Sequence, residues 1–304
     1  MIPLEVLRRG LRCGLAGLLL LASGVSHGRG DSTSSVWMIR GAHNTVYLAG
    51  SVHALPKDDA ALPPQLEQAY RAAERIVMEV DLDDLNPMEA VAFVGSNGTL
   101  PEGQTLKDVI GAEKYAGVSR LAASVDLPEF ALARLEPWAA AMLLTQFALL
   151  RSGFDPALGI DMQIAERARS DGKPIDGLET VIDQLGIFDA RSIEEQIRFL
   201  VESTEDAPKL HDDLARLVGA WRAGNVQALE KEFLEERAQA PELYDALLGA
   251  RNRKWMPQIE SLTHVDDDVL VVVGALHFVG HDGLLELLRA AGYQLVPVRA
   301  APKP

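Results

Sequence analysis

Residues 269–280, VLVVVGALHFVG, run apolar without alternation to a glycine, and a histidine stands three positions beyond it. Unbroken valines suit a strand covered on both faces, as in an α/β sheet. Residues 46–53, VYLAGSVH, repeat the arrangement: a β-run, Gly50, then His53. Upstream of it, SVWMIR and TVYLAG flank Gly-Ala-His-Asn, which predicts a hairpin with His43 in a solvated turn. Leu66, Ala69, Tyr70 and Ala73 then recur at helical spacing behind a pair of prolines. RIVMEVDL follows as another short strand that carries Glu79.

The middle of the chain reads as helix. Residues 127–153 are apolar on nearly all sides after Pro137, the mark of a core helix, and Thr145, Gln146 and Arg151 limit any membrane reading. Asp161 is expected to start a helix with Ile164, Ala165 and Ala168 on one face, ended by Asp171-Gly172, before a β-run to Gly177-Leu178-Glu179. Residues 190–262 are charged and helical throughout, as in a cap or an inserted bundle. After the strand at 269, Asp282 is the expected N-cap of a helix over DGLLELLRAAG, with His281 a solvated neighbour, and YQLVPV is a last strand. His211 and His264 lie in charged stretches and read as surface residues. With β-runs at both ends, the expected architecture is one α/β domain over 31–304. Its central sheet is built from both ends of the chain and flanked by helices, with the helical cap or insertion over 190–262 between them.

Residues 1–30 stand apart. Arg8, Arg9 and Arg12 precede a ten-residue apolar run, LAGLLLLASG, and small and polar residues follow. That order predicts a secretory signal peptide and a periplasmic or secreted protein; an uncleaved N-terminal anchor is the alternative. The single cysteine, Cys13, falls inside this segment, so the remainder uses no disulfide. The formal charge of the whole chain is −15, and loss of the segment makes it more acidic. With no basic stripe, nucleic acid is excluded as a partner, and no stable membrane insertion is expected once the signal is removed. The oligomeric state is not encoded in any motif. The acidic runs DLDDLN and VDDDV lack the spacing of a calcium loop and read as solvated.

Ligands bind beyond the carboxyl ends of strands in open α/β sheets. Gly50 and Gly274 allow a sharp turn or close approach there, and His53, Glu79, Glu179 and His277 all stand at strand ends. Two imidazoles and one or two carboxylates form a competent shell for Zn²⁺, Mn²⁺ or Co²⁺. Such an ion supplies what amide or ester hydrolysis needs near neutral pH. A single Gly-x-x-His fixes only two positions; the pair, each after a strongly apolar run, carries the signal. Arg251 shares a helical stripe with Leu247, Leu248, Trp255 and Ile259. It either forms an inward ion pair with carboxylates or orients a substrate carboxylate or oxyanion.

GSVH, VMEVD, GIDMQIAERARSDGKPIDGLET, ARNRKW and VVVGALHFVGHDGLLELLRAAGY together resemble the TraB/PrgY/GumN family, which is related to the Tiki metalloproteases and more distantly to erythromycin esterase and ChaN-like folds. The resemblance spans everything after the N-terminal segment. It implies a site of His53, His277 and Glu79, with Arg251 and Asn252 beside them and Glu179 at another family position. The Tiki branch implies divalent-metal-dependent proteolysis, the esterase branch a histidine base without metal, and the pheromone-shutdown members capture or degradation of a peptide. The expectation is an exported metal-dependent hydrolase, a peptidase of the Tiki-like type, with a peptide or small-molecule substrate. His53, Glu79 and His277 would be its metal donors, and Glu79 or Glu179 its general base. Arg251 and Asn252 would position the substrate. A metal-independent esterase-like enzyme and a non-catalytic binding protein are the competing readings.

Overall fold

The computed structural model describes residues 34–299 apart from 60, 238 and 239, so the expected signal peptide lies outside the described residues. Within them the chain divides into two compact units. One comprises Leu85–Pro156 and Val181–Asp213; the other comprises residues 34–84, Ala157–Thr180 and the chain from Leu214 onward.

The first unit is helical. Its helix Pro137–Arg151 buries Trp138, Ala139, Ala140, Ala141, Leu144, Ala148 and Leu149, so the run that reads as apolar on all sides is a core helix, packed against Ile193–Asp206. The latter starts with a Ser192–Glu195 capping box. No helix among the described residues is long and apolar enough to cross a membrane.

The second unit holds a six-stranded sheet. Its strands are β1 (Val36–Arg40), β2 (Thr45–Ser51), β3 (Arg75–Val80), β4 (Ile175–Glu179), β5 (Val269–Gly274) and β6 (Val296–Pro297), in the order β4-β3-β5-β2-β1-β6. The inner pairs β2–β5, β5–β3 and β3–β4 are parallel, while β1 and β6 add antiparallel edges. All six positions of β5 are buried, which is why its valines show no alternation. As expected, the sheet is α/β and draws its strands from both ends of the chain. The β1–β2 hairpin pairs Arg40 with Thr45, leaving His43 exposed in the turn.

Four helices of this unit matter to the site: α1 (Pro64–Ala72), α2 (Ile160–Asp171), α3 (Ala250–Ser261) and α4 (Leu284–Ala290). Trp255 and Ile259 of α3 and Leu284, Leu285 and Leu288 of α4 pack on Val269, Val271 and Val273 of β5 and on inward residues of β1, β2, β3 and β4. Burying one side chain of this size contributes roughly 1.5–3 kcal/mol, so these contacts hold α3 firmly over the strand ends.

Three details differ from the expectations. Helix α2 begins at Ile160 with Gly159, which has no side chain to cap with, at the N-cap position, and Asp161 lies inside the first turn with its carboxylate engaged elsewhere; its end at Gly172, in the left-handed region at φ 71°, is as expected. Gly283, not Asp282, is the N-cap residue of α4, and the Asp282 carboxylate pairs with exposed His281 and with Arg253. The region 190–262 is not one continuous piece. Its helices fall in both units, and a π-helical turn, Asp245–Gly249, leads into α3.

Candidate functional site

The parallel register sets the carboxyl ends of β2 and β5 side by side, with Gly50 opposite Val273 and Ser51 opposite Gly274. The two glycine-histidine sequences therefore leave neighbouring strands at the same edge of the sheet. Each glycine has a steric reason. A Cβ on Gly50 would stand 3.1 Å from the Ala275 Cα, where the chain leaving β5 crosses it. A Cβ on Gly274 would stand 3.1 Å from His53 Nε2 and 3.3 Å from Glu79 Oε1. Gly274 thus forms the floor between a histidine and a carboxylate, and its N–H donates to Glu79 Oε1 at 2.7 Å.

Glu79 comes from β3, the other neighbour of β5, and faces both imidazoles: its Oε1 is 4.0 Å from His53 Nε2 and 3.7 Å from His277 Nε2. Each ring is held through its other nitrogen. His53 Nδ1 lies 2.7 Å from Asp161 Oδ2, and His277 Nδ1 lies 2.6 Å from Asn252 Oδ1. Asn252 directs its own amide protons to the backbone carbonyls of His277 and Asp282, at 3.0 and 2.8 Å, so only its oxygen remains to accept from His277. Both rings consequently donate through Nδ1 and present Nε2 toward the same carboxylate oxygen. The His277 ring is buried and also packs on the Trp255 ring, centroids 4.5 Å apart, whereas the His53 side chain is 33% exposed.

Arg251 lies among them and uses every donor it has. Nε–H goes to Glu179; Nη1 donates to the Leu247 carbonyl at 2.8 Å and to His277 Nε2 at 3.1 Å; Nη2 donates to Glu79 Oε2 at 2.5 Å and Glu179 Oε1 at 2.6 Å. Its guanidinium also lies 4.6 Å from the Trp255 ring centre, and Trp255 Nε1–H donates to Glu179 Oε2. Of the two roles open to Arg251 in the sequence, the geometry is that of the inward ion pair, with no donor left for a substrate.

These placements tune the site in opposite directions. Burial works against a charge on His53, but the Asp161 charge and hydrogen bond, with Glu79 beyond, outweigh it and push the ring up to about 9. Burial and the Arg251 charge together bring His277 down to about 3, against the pull of Glu79. For Glu79, burial alone would raise the carboxyl; the Arg251 charge, the neighbouring imidazoles and the Gly274 N–H bring it below the ordinary range.

The chain belongs to the TraB/PrgY/gumN family. The family model matches residues 35–297, nearly the whole described chain, including every residue of the cluster. Two similar proteins, each named uncharacterized protein YbaP, come from Escherichia coli K12 and Shigella flexneri. Each is 23% identical over 254 residues, spanning 80% of this chain and 87% of the relative.

All six residues anticipated from the sequence, His53, Glu79, Glu179, Arg251, Asn252 and His277, meet in this one cluster. Sequence reasoning missed four others: Asp161, Ser51 behind it, Trp255 as a partner of Glu179, and Trp221, whose Nε1–H holds the Gly50 carbonyl at 2.6 Å. A signal for Asp161 was present in its place directly after Gly159-Ile160, but a helix start accounts equally well for an aspartate there. The exposed His43, His211, His264 and His281 lie outside the cluster, and His211 is tied through Nδ1 to the Ser152 carbonyl.

Proposed function

We propose that this protein is an exported hydrolase that uses a divalent ion of the Mn²⁺, Co²⁺ or Zn²⁺ kind to cleave peptide bonds, with His53, His277 and Glu79 as donors. The observation that carries the reading is the convergence on one oxygen of Glu79 of two imidazoles, each held by a side-chain partner at Nδ1. A second partner on the remote ring nitrogen is the usual support of a metal-binding histidine. The charge balance points the same way: Glu79 and Glu179 share the single guanidinium of Arg251, and Asp161 pairs with His53, so even with His53 protonated one negative charge is left over. As placed, no three His, Cys, Asp or Glu side chains among the described residues are gathered tightly enough to hold an ion. Arg251 Nη1 donates to His277 Nε2 here; the chemistry of the donors fits an ion, and ligation by His277 would replace that one hydrogen bond.

A bound ion supplies Lewis acidity for attack on an amide carbonyl. The chain's own residues do the rest. Asn252 keeps His277 in the donor tautomer, Arg251 fixes Glu79, and Glu179, wedged between Arg251 and Trp255, anchors Arg251. His53 is the exposed member, so substrate enters on its side. The test is elemental analysis of the folded protein after loading with Mn²⁺, Co²⁺ or Zn²⁺ and washing. About one equivalent should remain in wild type and none in His53→Ala or His277→Ala, followed by peptide hydrolysis that stops in chelator. Retention by either variant would sink the donor assignment.

The contact of Arg251 with His277 favours a second reading, a metal-free hydrolase in which His53 is the base and Arg251 takes the place of a cation. Full activity in chelator would select it. Substrate recovered intact from a stable complex would reject both in favour of a binding protein.

A further inference from the structure

We propose that Asp161, braced by Ser51, is the positioning residue for His53, setting which ring nitrogen faces the reaction centre. Both carboxylate oxygens are committed. Oδ1 accepts from the Ser51 hydroxyl at 2.5 Å and Oδ2 from His53 Nδ1 at 2.7 Å, with the Asp161 side chain 14% exposed. Ser51 is the last residue of β2, so the brace ties Asp161 to the end of the strand that precedes His53.

An independent main-chain contact fixes the same geometry. The Ile160 N–H donates to the Val52 carbonyl at 2.9 Å, joining the first turn of α2 to the residue between Ser51 and His53. The start of α2 therefore arrives already in register with the loop it serves, and Asp161, inside the first turn, has its carboxylate free of any capping role. Without Asp161, His53 would be a part-exposed ring on a loop, free to turn and free to carry its proton on Nε2. With Asp161 accepting from Nδ1, the neutral ring carries its lone pair on Nε2, directed at Glu79 and the floor at Gly274. The buried His277 needs less: a neutral amide, Asn252, and the Trp255 ring hold it.

The effect on ion affinity rests on the proposed function, whereas the effect on the tautomer does not, and the experiment separates them. The metal-free protein, labelled with ¹⁵N in its imidazoles, is examined by NMR at about pH 10, where the rings are neutral. Wild-type His53 should carry its proton on Nδ1. Asp161→Ala and Asp161→Leu should move it to Nε2, while Asp161→Asn, whose amide oxygen still accepts, should keep it on Nδ1. A wild-type proton on Nε2, which needs no variant to observe, overturns the proposal, as does an unchanged tautomer in Asp161→Ala or Asp161→Leu. In the second arm, Mn²⁺, Co²⁺ and Zn²⁺ titrations should show roughly 10–100-fold weaker binding in Asp161→Ala than in wild type, partly restored in Asp161→Asn. Equal affinity in wild type and Asp161→Ala also overturns the proposal. If wild type binds no ion, the metal reading falls and the tautomer arm still decides the role of Asp161.

Discussion

Replacing Arg251 by Met removes the one cation shared by two buried carboxylates while keeping a long side chain against Trp255. Glu79 and Glu179 have side chains 13% and 2% exposed, and Arg251 itself is 11% exposed, so water cannot replace the lost partner cheaply. Removing one member of a buried ion pair costs about 3–5 kcal/mol, most of it the penalty of the charge left behind. At roughly 2–4 °C per kcal/mol for a chain of this order, the melting temperature should fall by about 10 °C. The pH dependence is the sharper test. In wild type the Glu79 carboxyl is held below its ordinary value of 4.5, so its contribution to stability is present above that value and lost as pH falls through the lowered one. In Arg251→Met, burial dominates and the carboxyl rises, so protonation relieves the variant first. The stability gap should therefore be widest at neutral pH and close as the solution is acidified through the carboxylate range. Urea unfolding of the metal-free protein, followed by circular dichroism at several pH values, measures it. Arg251→Met/Glu179→Met should recover part of the loss, because a buried pair replaced as a whole by apolar side chains is often neutral. A loss under about 1 kcal/mol, or a gap that does not change with pH, would refute the account of Arg251 as the charge partner of both glutamates.

Three other outcomes follow from the same contacts. His53 is raised from 6.5 to about 9, so in the metal-free protein it should remain imidazolium through neutral pH. The stability it gives is full below 6.5 and fades as pH rises through about 9; an NMR titration placing it near 6.5 would show that Asp161 does not act on it. Gly274→Ala puts a methyl group 3.1 Å from His53 Nε2 and 3.3 Å from Glu79 Oε1, at a residue whose backbone angles an alanine adopts readily. It should fold, yet lose ion binding by roughly 10-fold or more, and wild-type affinity in a calorimetric titration would mean that nothing converges there. Asn252→Ala strips the acceptor from His277 Nδ1 and the donor from the buried His277 carbonyl and the part-buried Asp282 carbonyl. A loss of about 2–4 kcal/mol in denaturant is expected, and a near-neutral effect would mean that the His277 ring is held by Trp255 alone.

The strands and the cluster were legible because each wrote a local signal. The unbroken valines of β5 reflect burial on both faces, and a glycine followed by histidine at two strand ends reflects steric need at Gly50 and Gly274. What stayed illegible depends on side chains that meet across long separations. Asp161 and His53 lie 108 residues apart, and an aspartate near a helix start looks the same whether it caps the helix or leaves it for a histidine. Asp282 shows the same ambiguity, with its carboxylate drawn to His281 and Arg253. The helical stretch 190–262 reads as uniform because charged amphipathic helices share one periodicity wherever they pack. That pattern marks neither the division at Asp213–Leu214 nor the π-helical turn before Arg251.

The two histidines are matched in sequence motif and unmatched in surroundings, and that difference sorts their work. His277 sits on a neutral amide beside a guanidinium, in a buried slot against an indole, so its environment resists any further positive charge except in exchange for the Arg251 hydrogen bond. His53 sits on a carboxylate at the exposed edge, so its environment invites positive charge, whether a proton or an ion. Under the proposed metal-dependent reading a proton and an ion would compete for the same Nε2 lone pair, so ion binding should strengthen as pH rises toward about 9 and release a proton from His53. Under the metal-free reading the same carboxylate makes His53 the stronger base. Either chemistry runs through the imidazole that Asp161 holds, with His277, Asn252 and Arg251 forming the fixed wall against which it works.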